Sequence, residues 1–395
     1  MMGKPTSTFS VQFTLLLVST LTAMSNATIS PSLPVMQEHF SDVENIEYLV
    51  RLALTIPSLF VAIAAPLAGL LIDQLGRKPL LAAGLFIYGA AGSSGLWLNS
   101  LGSILIGRAF LGLSVAGIMT TATALIADYY TGAFRTRFLG WQSAAMALGG
   151  VLFLSFGGLL ADVGWRLPFL IYLVALLLLP AVLLLLPEPR RNRSSTSAQP
   201  IAETEPTTLP IGLVAFTYAI ALIAQAAFYM IPVQLPFYLR QLANATASQS
   251  GLAIAVSTLF VAISSFLYQR LKARLTFISI YEIAFLSMGV GYGAIALADG
   301  YVIVILGLAI AGFGLGLLMP NMNLCLASIT PGALRGRVLG GWTTCFFLGQ
   351  FLSPLLSQPL SQWFGLSATY GLTGGALIGL GVATFFVMTR HQHWA

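Results

Sequence analysis

The composition of this 395-residue chain excludes an ordinary soluble domain. Its residues are 57% hydrophobic and only 8% charged, whereas soluble domains have about 25% charged residues. So little charge cannot cover a water-exposed surface, and we therefore expect a protein that crosses a membrane several times. The formal charge of +6 is better explained by Lys and Arg residues that set membrane topology than by a nucleic-acid-binding face.

The apolar runs predict an all-α membrane protein with twelve spanning helices. A helix that crosses a bilayer needs about 20 mostly apolar residues. Runs of this length recur along the chain. Near Pro31, Pro34, Pro232 and Pro236 the sequence is compatible with either a helix or a loop. The predicted spans are 11–34, 47–72, 79–98, 101–127, 138–161 and 166–187 in the first half, and 209–238, 249–270, 276–298, 301–328, 336–360 and 365–389 in the second.

The cations indicate how the chain is oriented. The first run reads as an uncleaved helix, and with the N-terminus inside, the inner loops and tails hold most of the Lys and Arg residues. Arg51, Arg166 and Arg240 lie on outer loops or helix ends, and Arg108 lies within a helix. The positive-inside rule therefore places both termini in the cytoplasm. The inner cations are Lys4, Arg77, Lys78, Arg135, Arg137, Arg190, Arg191, Arg193, Arg270, Lys272, Arg274, Arg335, Arg337 and Arg390.

A polar segment and an internal repeat divide the chain into two halves. Residues 188–208 are rich in Pro, Ser and Thr and predict a cytoplasmic linker between an N-terminal bundle, 1–187, and a C-terminal bundle, 209–395. Residues 132–140 match 332–340 at six of nine positions, an offset of 200 residues. The same offset pairs Gly112 with Gly312. We expect two parallel six-helix repeats, with the matching segments in the loops between the fourth and fifth helices.

The segment between the second and third spans carries dense charge. Asp73, Arg77 and Lys78 lie close to Gly69 and Gly76. Such charge is costly inside a bilayer, so this segment should form a tight turn at the cytoplasmic boundary. Gly69 should let a neighbouring helix approach closely, and Gly76 should allow the chain to reverse direction.

This segment resembles the loop motif G-x-x-x-D-[RK]-x-G-R-[RK] of the major facilitator superfamily, with Gln74 where the family usually has a basic residue. The resemblance implies the fold of that family, twelve helices in two pseudo-symmetric six-helix bundles. It implies alternating access to a midplane site between the bundles. It also implies that Asp73, Arg77 and Asp128, at the end of the fourth helix, form a charge network that holds the inner side closed. On the residues alone, Arg77 and Lys78 could serve only as topology signals.

Arg108 is a second candidate for function. It lies about seven residues inside the fourth helix, and an arginine within a membrane is costly unless it is paired or faces water. The spacing from Arg108 to Gly112 resembles the fourth-helix motif of the family, whose arginine is associated with proton coupling. Alternatively, the side chain extends to the outer surface or pairs with Asp162 or Glu47.

The fifth helix departs from the pattern of the drug/proton antiporters in the family. Those proteins usually carry Gly-Pro-x-x-Gly-Gly there, and this chain keeps the double glycine at Gly157 and Gly158 without the Gly-Pro pair. Close helix packing is still expected through Gly149, Gly150, Gly157 and Gly158.

The resemblance implies a central cavity lined mainly by the first, fourth, seventh and tenth helices. Polar and aromatic residues near mid-depth on these helices, and on those beside them, either contact substrate or form bonds between helices. Together they describe a mostly apolar site suited to an amphipathic or lipophilic compound. The candidates are Asn26, Gln142, Gln225, Tyr229, Asn321, Asn323, Phe346 and Gln350.

These observations predict a secondary active transporter and not an enzyme, because no nucleotide-binding loop, metal cluster or nucleophile–base pair is evident. We expect a monomer in a bacterial-type plasma membrane that uses proton-coupled efflux, needs no cofactor and binds no nucleic acid. One alternative is an importer or facilitator of a small organic anion, with Arg108 as its counter-ion. The other is a non-transporting membrane receptor or scaffold.

Overall fold

The computed structural model describes residues 9–189, 210–332 and 334–389, and these residues are almost entirely helical, as predicted. Three short 3₁₀ helices, Ser30–Ser32, Ser93–Leu96 and Leu167–Leu173, extend or precede longer helices. The α-helices are α1 (Phe9–Ala27), α2 (Leu33–His39), α3 (Ile46–Leu75), α4 (Arg77–Gly92), α5 (Leu101–Tyr129), α6 (Gly132–Val163), α7 (Val174–Leu185), α8 (Ile211–Ala243), α9 (Ala247–Lys272), α10 (Phe277–Ala296), α11 (Tyr301–Ile329) and α12 (Arg335–Thr389).

The described residues contain eleven helical runs that are long and apolar enough to cross a bilayer. The last run has 50 residues, far more than the roughly 20 that one crossing needs. It is interrupted at Gly365, where φ is 83° and ψ is 165°, and two helices meet at this kink. The predicted spans 336–360 and 365–389 therefore form one run, because a single glycine joins them without a loop.

Other predicted boundaries differ where a helix continues past its apolar part. The prediction that residues 132–140 form a loop is wrong, since α6 begins at Gly132 and includes its cationic first turns. Pro232 and Pro236 lie inside α8. Pro34 occupies the first turn of α2, where its missing N–H costs no helical hydrogen bond.

The helices form two bundles, each around its own apolar core. Helices α1–α7 supply most of the first core, to which Tyr229 and Val233 of α8 add, and α8–α12 supply most of the second, to which Leu154 of α6 adds. We call these the N-terminal and C-terminal bundles. They meet along two seams, α3 against α12 and α6 against α9. The limits 1–187, 188–208 and 209–395 stay predictions, because residues 190–209 lie outside the described part of the chain.

Close contacts reproduce the repeat at the predicted offset. A Cβ added to Gly112 in α5 would lie 2.3 Å from the carbonyl oxygen of Pro57 in α3. A Cβ added to Gly312 in α11 would lie 2.3 Å from the carbonyl oxygen of Ser257 in α9. Pro57 and Ser257 are themselves 200 residues apart. The two bundles therefore use the same helix contact at equivalent positions.

A pair of buried tyrosines in each bundle extends this symmetry. The rings of Tyr88 and Tyr172 are 5.8 Å apart, and those of Tyr292 and Tyr370 are 5.6 Å apart. In the N-terminal bundle, both hydroxyl groups donate to carbonyl oxygens of α1. In the C-terminal bundle, both donate to carbonyl oxygens of α8. The tyrosine pairs thus fix the first helix of each bundle in the same way.

The glycines of α6 pack closely, as predicted. A Cβ added to Gly149 would lie 2.8 Å from Thr20 in α1, and one at Gly158 would lie 2.8 Å from the carbonyl oxygen of Ala247 in α9. These contacts place α6 both inside its own bundle and along the second seam.

Candidate functional site

The charged motif forms a tight turn at the end of α3 that the sequence predicts to lie on the inner side. Gly76 is the single residue between α3 and α4, and its φ of 90° lies in a region that L side chains rarely adopt. Arg77, the first residue of α4, donates from Nε to Asp128 Oδ2 at 2.9 Å. Both side chains are partly exposed, 26% and 31%, so this ion pair contributes at most about 1 kcal/mol.

Glu188 joins this cluster, and the sequence analysis missed it. Its Oε1 accepts from the backbone N–H of Arg77 at 2.8 Å, and its Oε2 accepts from the backbone N–H of Lys78 at 2.7 Å. A carboxylate here satisfies donors in the first turn of α4 and interacts favourably with the helix dipole. A glutamate directly after the sixth apolar run, at the same membrane boundary as the motif, was the available signal.

The described members of the charge network all belong to the N-terminal bundle or its last residues. Arg77, Asp128 and Glu188 come together, whereas the side chain of Asp73 lies outside the described part of the structure. A role of this network in closing the inner side therefore stays a prediction.

The expectation for Gly69 is wrong. A Cβ added there would meet no atom within 4 Å. The neighbouring side chains of Leu67 and Leu71 on α3 are exposed, so no described helix covers this face of α3. Gly69 therefore mediates no close helix contact here.

Arg108 is fully buried inside the N-terminal bundle. Its Nε donates to the carbonyl oxygen of Ala53 at 2.9 Å, and its Nη2 donates to that of Ser25 at 2.7 Å. Its guanidinium carbon lies 5.1 Å from the centre of the Tyr172 ring. Within the described residues, Nη1 has no hydrogen-bond partner. The guanidinium group is thus held by backbone dipoles and a π face.

Two of the alternatives for Arg108, extension to the outer surface and pairing with Asp162 or Glu47, are wrong. The side chain is 0% exposed, so it does not extend to the outer surface. Asp162 instead accepts from the backbone N–H groups of Ala247 and Ser248, and the Glu47 carboxylate accepts from Gln358 and Gln362. The Asp162 carboxylate therefore bonds to α9 across the second seam, and the Glu47 carboxylate bonds to α12 across the first.

Two of the cavity candidates form a polar chain across the first seam. Ser58 in α3 donates to Gln350 Oε1 in α12 at 2.8 Å, and Gln350 Nε2 donates to Gln225 Oε1 in α8 at 3.1 Å. Gln225 is 1% exposed, and no described residue accepts a hydrogen bond from its Nε2. Tyr229, one turn further along α8, is also buried.

The other cavity candidates are dispersed. Asn321 accepts from the Tyr268 hydroxyl and donates to the carbonyl oxygen of Phe277, so it joins helices within the C-terminal bundle. Gln142 donates to Ser19 in α1. Asn323 is exposed, Phe346 packs against Trp342 and Phe347, and the side chain of Asn26 lies outside the described part.

Comparison with known proteins settles the family. A family model described as Major Facilitator Superfamily matches residues 15–275 and 217–395. The chain belongs to the Major Facilitator Superfamily.

Individual relatives and structures agree with this family. Multidrug resistance protein 1 of Bacillus subtilis (strain 168) is 39% identical over 136 residues, which are 33% of this chain and 34% of that protein. Tetracycline resistance protein, class B, of Escherichia coli is 26% identical over 402 residues, covering 95% of this chain and 96% of that protein. The crystal structure of a D-xylose-proton symporter matches with a TM-score of 0.80 and 17% identity, over 95% of this chain and 97% of that chain.

Membership of the Major Facilitator Superfamily makes this chain a multi-pass membrane protein of a transporter family with bacterial relatives, and it accounts for the repeat. In the part of the chain that the structure describes, no group of three or more His, Cys, Asp or Glu side chains could hold a metal ion.

Proposed function

We propose that this superfamily member is a proton-coupled efflux transporter for amphipathic or lipophilic organic compounds. The two bundles tilt about a midplane site and expose it to each side in turn. The protein works as a monomer in a bacterial-type inner membrane, with both termini in the cytoplasm. The full-length likeness to a tetracycline resistance protein and the partial likeness to a multidrug resistance protein support this direction and substrate class.

The observation that carries the proposal is that Arg108 is buried with no carboxylate partner among the described residues. At the equivalent position of the C-terminal bundle stands Leu308, also 0% exposed. The same helix arrangement is therefore built there with an apolar side chain. A buried cation without a carboxylate partner is costly, and since the fold does not require it, we assign it to the transport cycle. Its position among α1, α3 and α5 suits a group that responds to helix movement.

The neutral polar chain supports the substrate class. Ser58, Gln225 and Gln350 offer hydrogen-bonding groups without formal charge. A site of this kind orients an amphipathic molecule while apolar surroundings contribute most of its affinity. The burial of Arg108 inside the N-terminal bundle gives no support to the organic-anion alternative, in which its guanidinium would face the substrate.

The cluster at the inner end provides the gate. Asp73, Arg77 and Asp128 hold the inner side closed in part of the cycle, with Gly76 and Lys78 shaping the turn. Asp73→Asn should leave the protein in the membrane but largely abolish transport. Near-normal flux through this variant in proteoliposomes would rule out the gating role.

Transport in proteoliposomes tests the proposal. Purified protein is reconstituted, a pH gradient is imposed, and uptake of tetracycline and of the lipophilic cation tetraphenylphosphonium is followed. We expect accumulation that depends on the gradient and is lost when an ionophore dissipates it. No accumulation of either probe, or accumulation indifferent to the gradient, would contradict the proposal. A pH change or current driven by small organic acids would favour the alternative.

A further inference from the structure

Four residues close a ring of hydrogen bonds at the predicted outer end of the first seam, three of the bonds between side chains and one to a backbone carbonyl oxygen. Arg51 Nε donates to Gln234 Oε1 at 2.9 Å, and Gln234 Nε2 donates to Gln358 Oε1 at 3.1 Å. Gln358 Nε2 donates to Glu47 Oε2 at 2.8 Å, and Arg51 Nη1 donates to the backbone carbonyl oxygen of Glu47 at 2.7 Å. We call these four residues the outer ring. It joins α3 of one bundle to α8 and α12 of the other.

Three of the four residues of the outer ring are buried, and Glu47 is half-buried. Arg51 is 4% exposed, Gln234 is fully buried and Gln358 is 2% exposed. The guanidinium carbon of Arg51 lies 3.9 Å from the centre of the Phe237 ring, which also belongs to α8. Within its own bundle, Arg51 Nη1 also donates to Gln37 Oε1 in α2 at 3.1 Å, so the hydrogen bond from Nε to Gln234 is the one that crosses the seam. Because burial makes an unpaired polar group costly, loss of this bond leaves the Arg51 Nε donor in need of another acceptor.

The two charges of the ring do not form an ion pair, although their spacing would allow one. Glu47 and Arg51 are four residues apart on α3, where side chains are neighbours. The ion pairs between described residues are Arg77 with Asp128 and Glu38 with Arg240. Each charge of the ring is instead bonded to a glutamine across the seam.

The second seam shows that closure does not require these charges. The 200-residue offset relates Glu47 to Ala247, Arg51 to Gly251, and Gln358 to Gly158. There the helices meet through backbone: a Cβ added to Gly158 would lie 2.8 Å from the carbonyl oxygen of Ala247, and one at Gly251 would lie 3.2 Å from the Cα of Gly158. The charged ring is therefore an addition to a seam that can close by packing alone.

We propose that Glu47 and Arg51 form a partner-exchange switch for the outer gate, an inference that rests on the alternating access proposed above. With the outer side closed, Gln234 and Gln358 bind the two charges. When the bundles part at this end, these bonds break, and the Arg51 guanidinium moves onto the Glu47 carboxylate on the same helix. The ion pair replaces the lost bonds, so neither charge is left without a partner in either state.

The two glutamines suit such an exchange because a carboxamide both donates and accepts hydrogen bonds. The closed ring can accommodate either sign of charge at positions 47 and 51. The open state needs opposite signs, since like charges four residues apart on a helix repel. Swapping the charges therefore separates the switch from a purely structural contact between bundles.

The experiment measures how often the outer ends are apart. Cys325→Ser and Cys345→Ser remove the native thiols, and spin labels are attached at Asp42→Cys and Asp299→Cys, two exposed outer positions on different bundles. Distance distributions are recorded in lipid nanodiscs for the parent, for Glu47→Arg, for Arg51→Glu and for both together. Gln358→Leu, which keeps both charges but loses a bond across the seam, should raise the open fraction.

The open fraction is the share of molecules whose outer ends are apart. Each single swap should lower it by about fivefold, because residues in one hydrogen-bond network are typically coupled by a free energy of this size. The double swap should restore it to within about twofold of the parent. The switch would be overturned if the open fraction of the double variant were as low as that of a single swap, or lower. It would also be overturned if the single swaps left the open fraction unchanged. If the swapped proteins do not fold, Glu47→Gln, Arg51→Gln and the double variant are compared with the parent in the same way. If the two neutral substitutions change the free energy of outer opening non-additively, the switch is supported. If their effects on that free energy add, the switch is overturned.

These distances need no substrate, so this result is independent of the transport assay. Failure of both probes to accumulate would refute the proposed function and leave the charge-swap result standing. Transport without rescue by the double swap would refute the switch alone.

Discussion

At the scale of single residues, charges inside this protein are held by unusual partners. Arg108 is bonded to backbone carbonyl oxygens and stacked near a tyrosine, and Arg51 is bonded to neutral amide oxygens and a backbone carbonyl. Both cations could be recognised in the sequence as charges near or within apolar runs. Their partners could not, because Ser25, Ala53 and Gln234 are brought to them only when the helices pack.

Replacing Arg108 should separate transport from folding. Arg108→Leu introduces the residue that already stands at the equivalent position 308, so the thermal midpoint in detergent should change little. Gradient-driven tetracycline uptake should fall at least tenfold, roughly the effect of 1.4 kcal/mol on a rate-limiting step. Arg108→Lys, which keeps the charge, is the matched comparison. Full activity in the leucine variant would show that the buried charge has no part in coupling.

Glu188 is expected to stabilise the turn at the inner end. Glu188→Ala leaves the backbone N–H groups of Arg77 and Lys78 without their carboxylate, and loss of a helix cap costs about 1 kcal/mol. Thermal unfolding in detergent measures the change. Glu44→Ala alters an exposed carboxylate on the opposite side and serves as the control. Equal stability of the two variants would mean that the Glu188 contacts add nothing to the fold.

At the scale of helices, small residues decide how closely the elements pack. Most spans could be predicted within a few residues, because the bilayer demands long apolar runs. The cationic first turns of α6 were missed, since hydropathy detects only the apolar part of a helix. Gly112 and Gly312 could be paired from the repeat, but the sequence did not say that each lies against a carbonyl oxygen of the neighbouring helix.

Adding a methyl group at these glycines should destabilise both bundles alike. Gly112→Ala and Gly312→Ala each place a Cβ 2.3 Å from a carbonyl oxygen, and overpacking typically costs about 1–3 kcal/mol. Gly117→Ala, in the same helix as Gly112, would meet no atom within 4 Å and should be neutral. The three thermal midpoints are compared in detergent. A neutral Gly112→Ala would contradict the close packing of α3 and α5.

At the scale of the whole molecule, the two bundles are joined unevenly along their first seam. The predicted outer end carries the outer ring, and near mid-depth Ser58 and Gln350 add a further bond between bundles. At the predicted inner end, Arg77 and Asp128 pair within one bundle. In the proposed orientation, this arrangement is that of a molecule closed outside, and the proposed alternating access requires that the outer end open as the inner end closes. The sequence indicated the two bundles but not the state, because state depends on contacts between distant segments.

Paired distance measurements at both ends would decide whether this protein alternates access. Spin labels at Asp42→Cys and Asp299→Cys report the outer end, and labels at Thr136→Cys and Ala273→Cys, exposed near the inner ends of α6 and α9, report the inner end. As tetracycline or a lower pH is applied in nanodiscs, we predict that the outer distance lengthens in the same proportion of molecules in which the inner distance shortens. Distances that stay fixed, or ends that open together, would contradict alternating access in this protein.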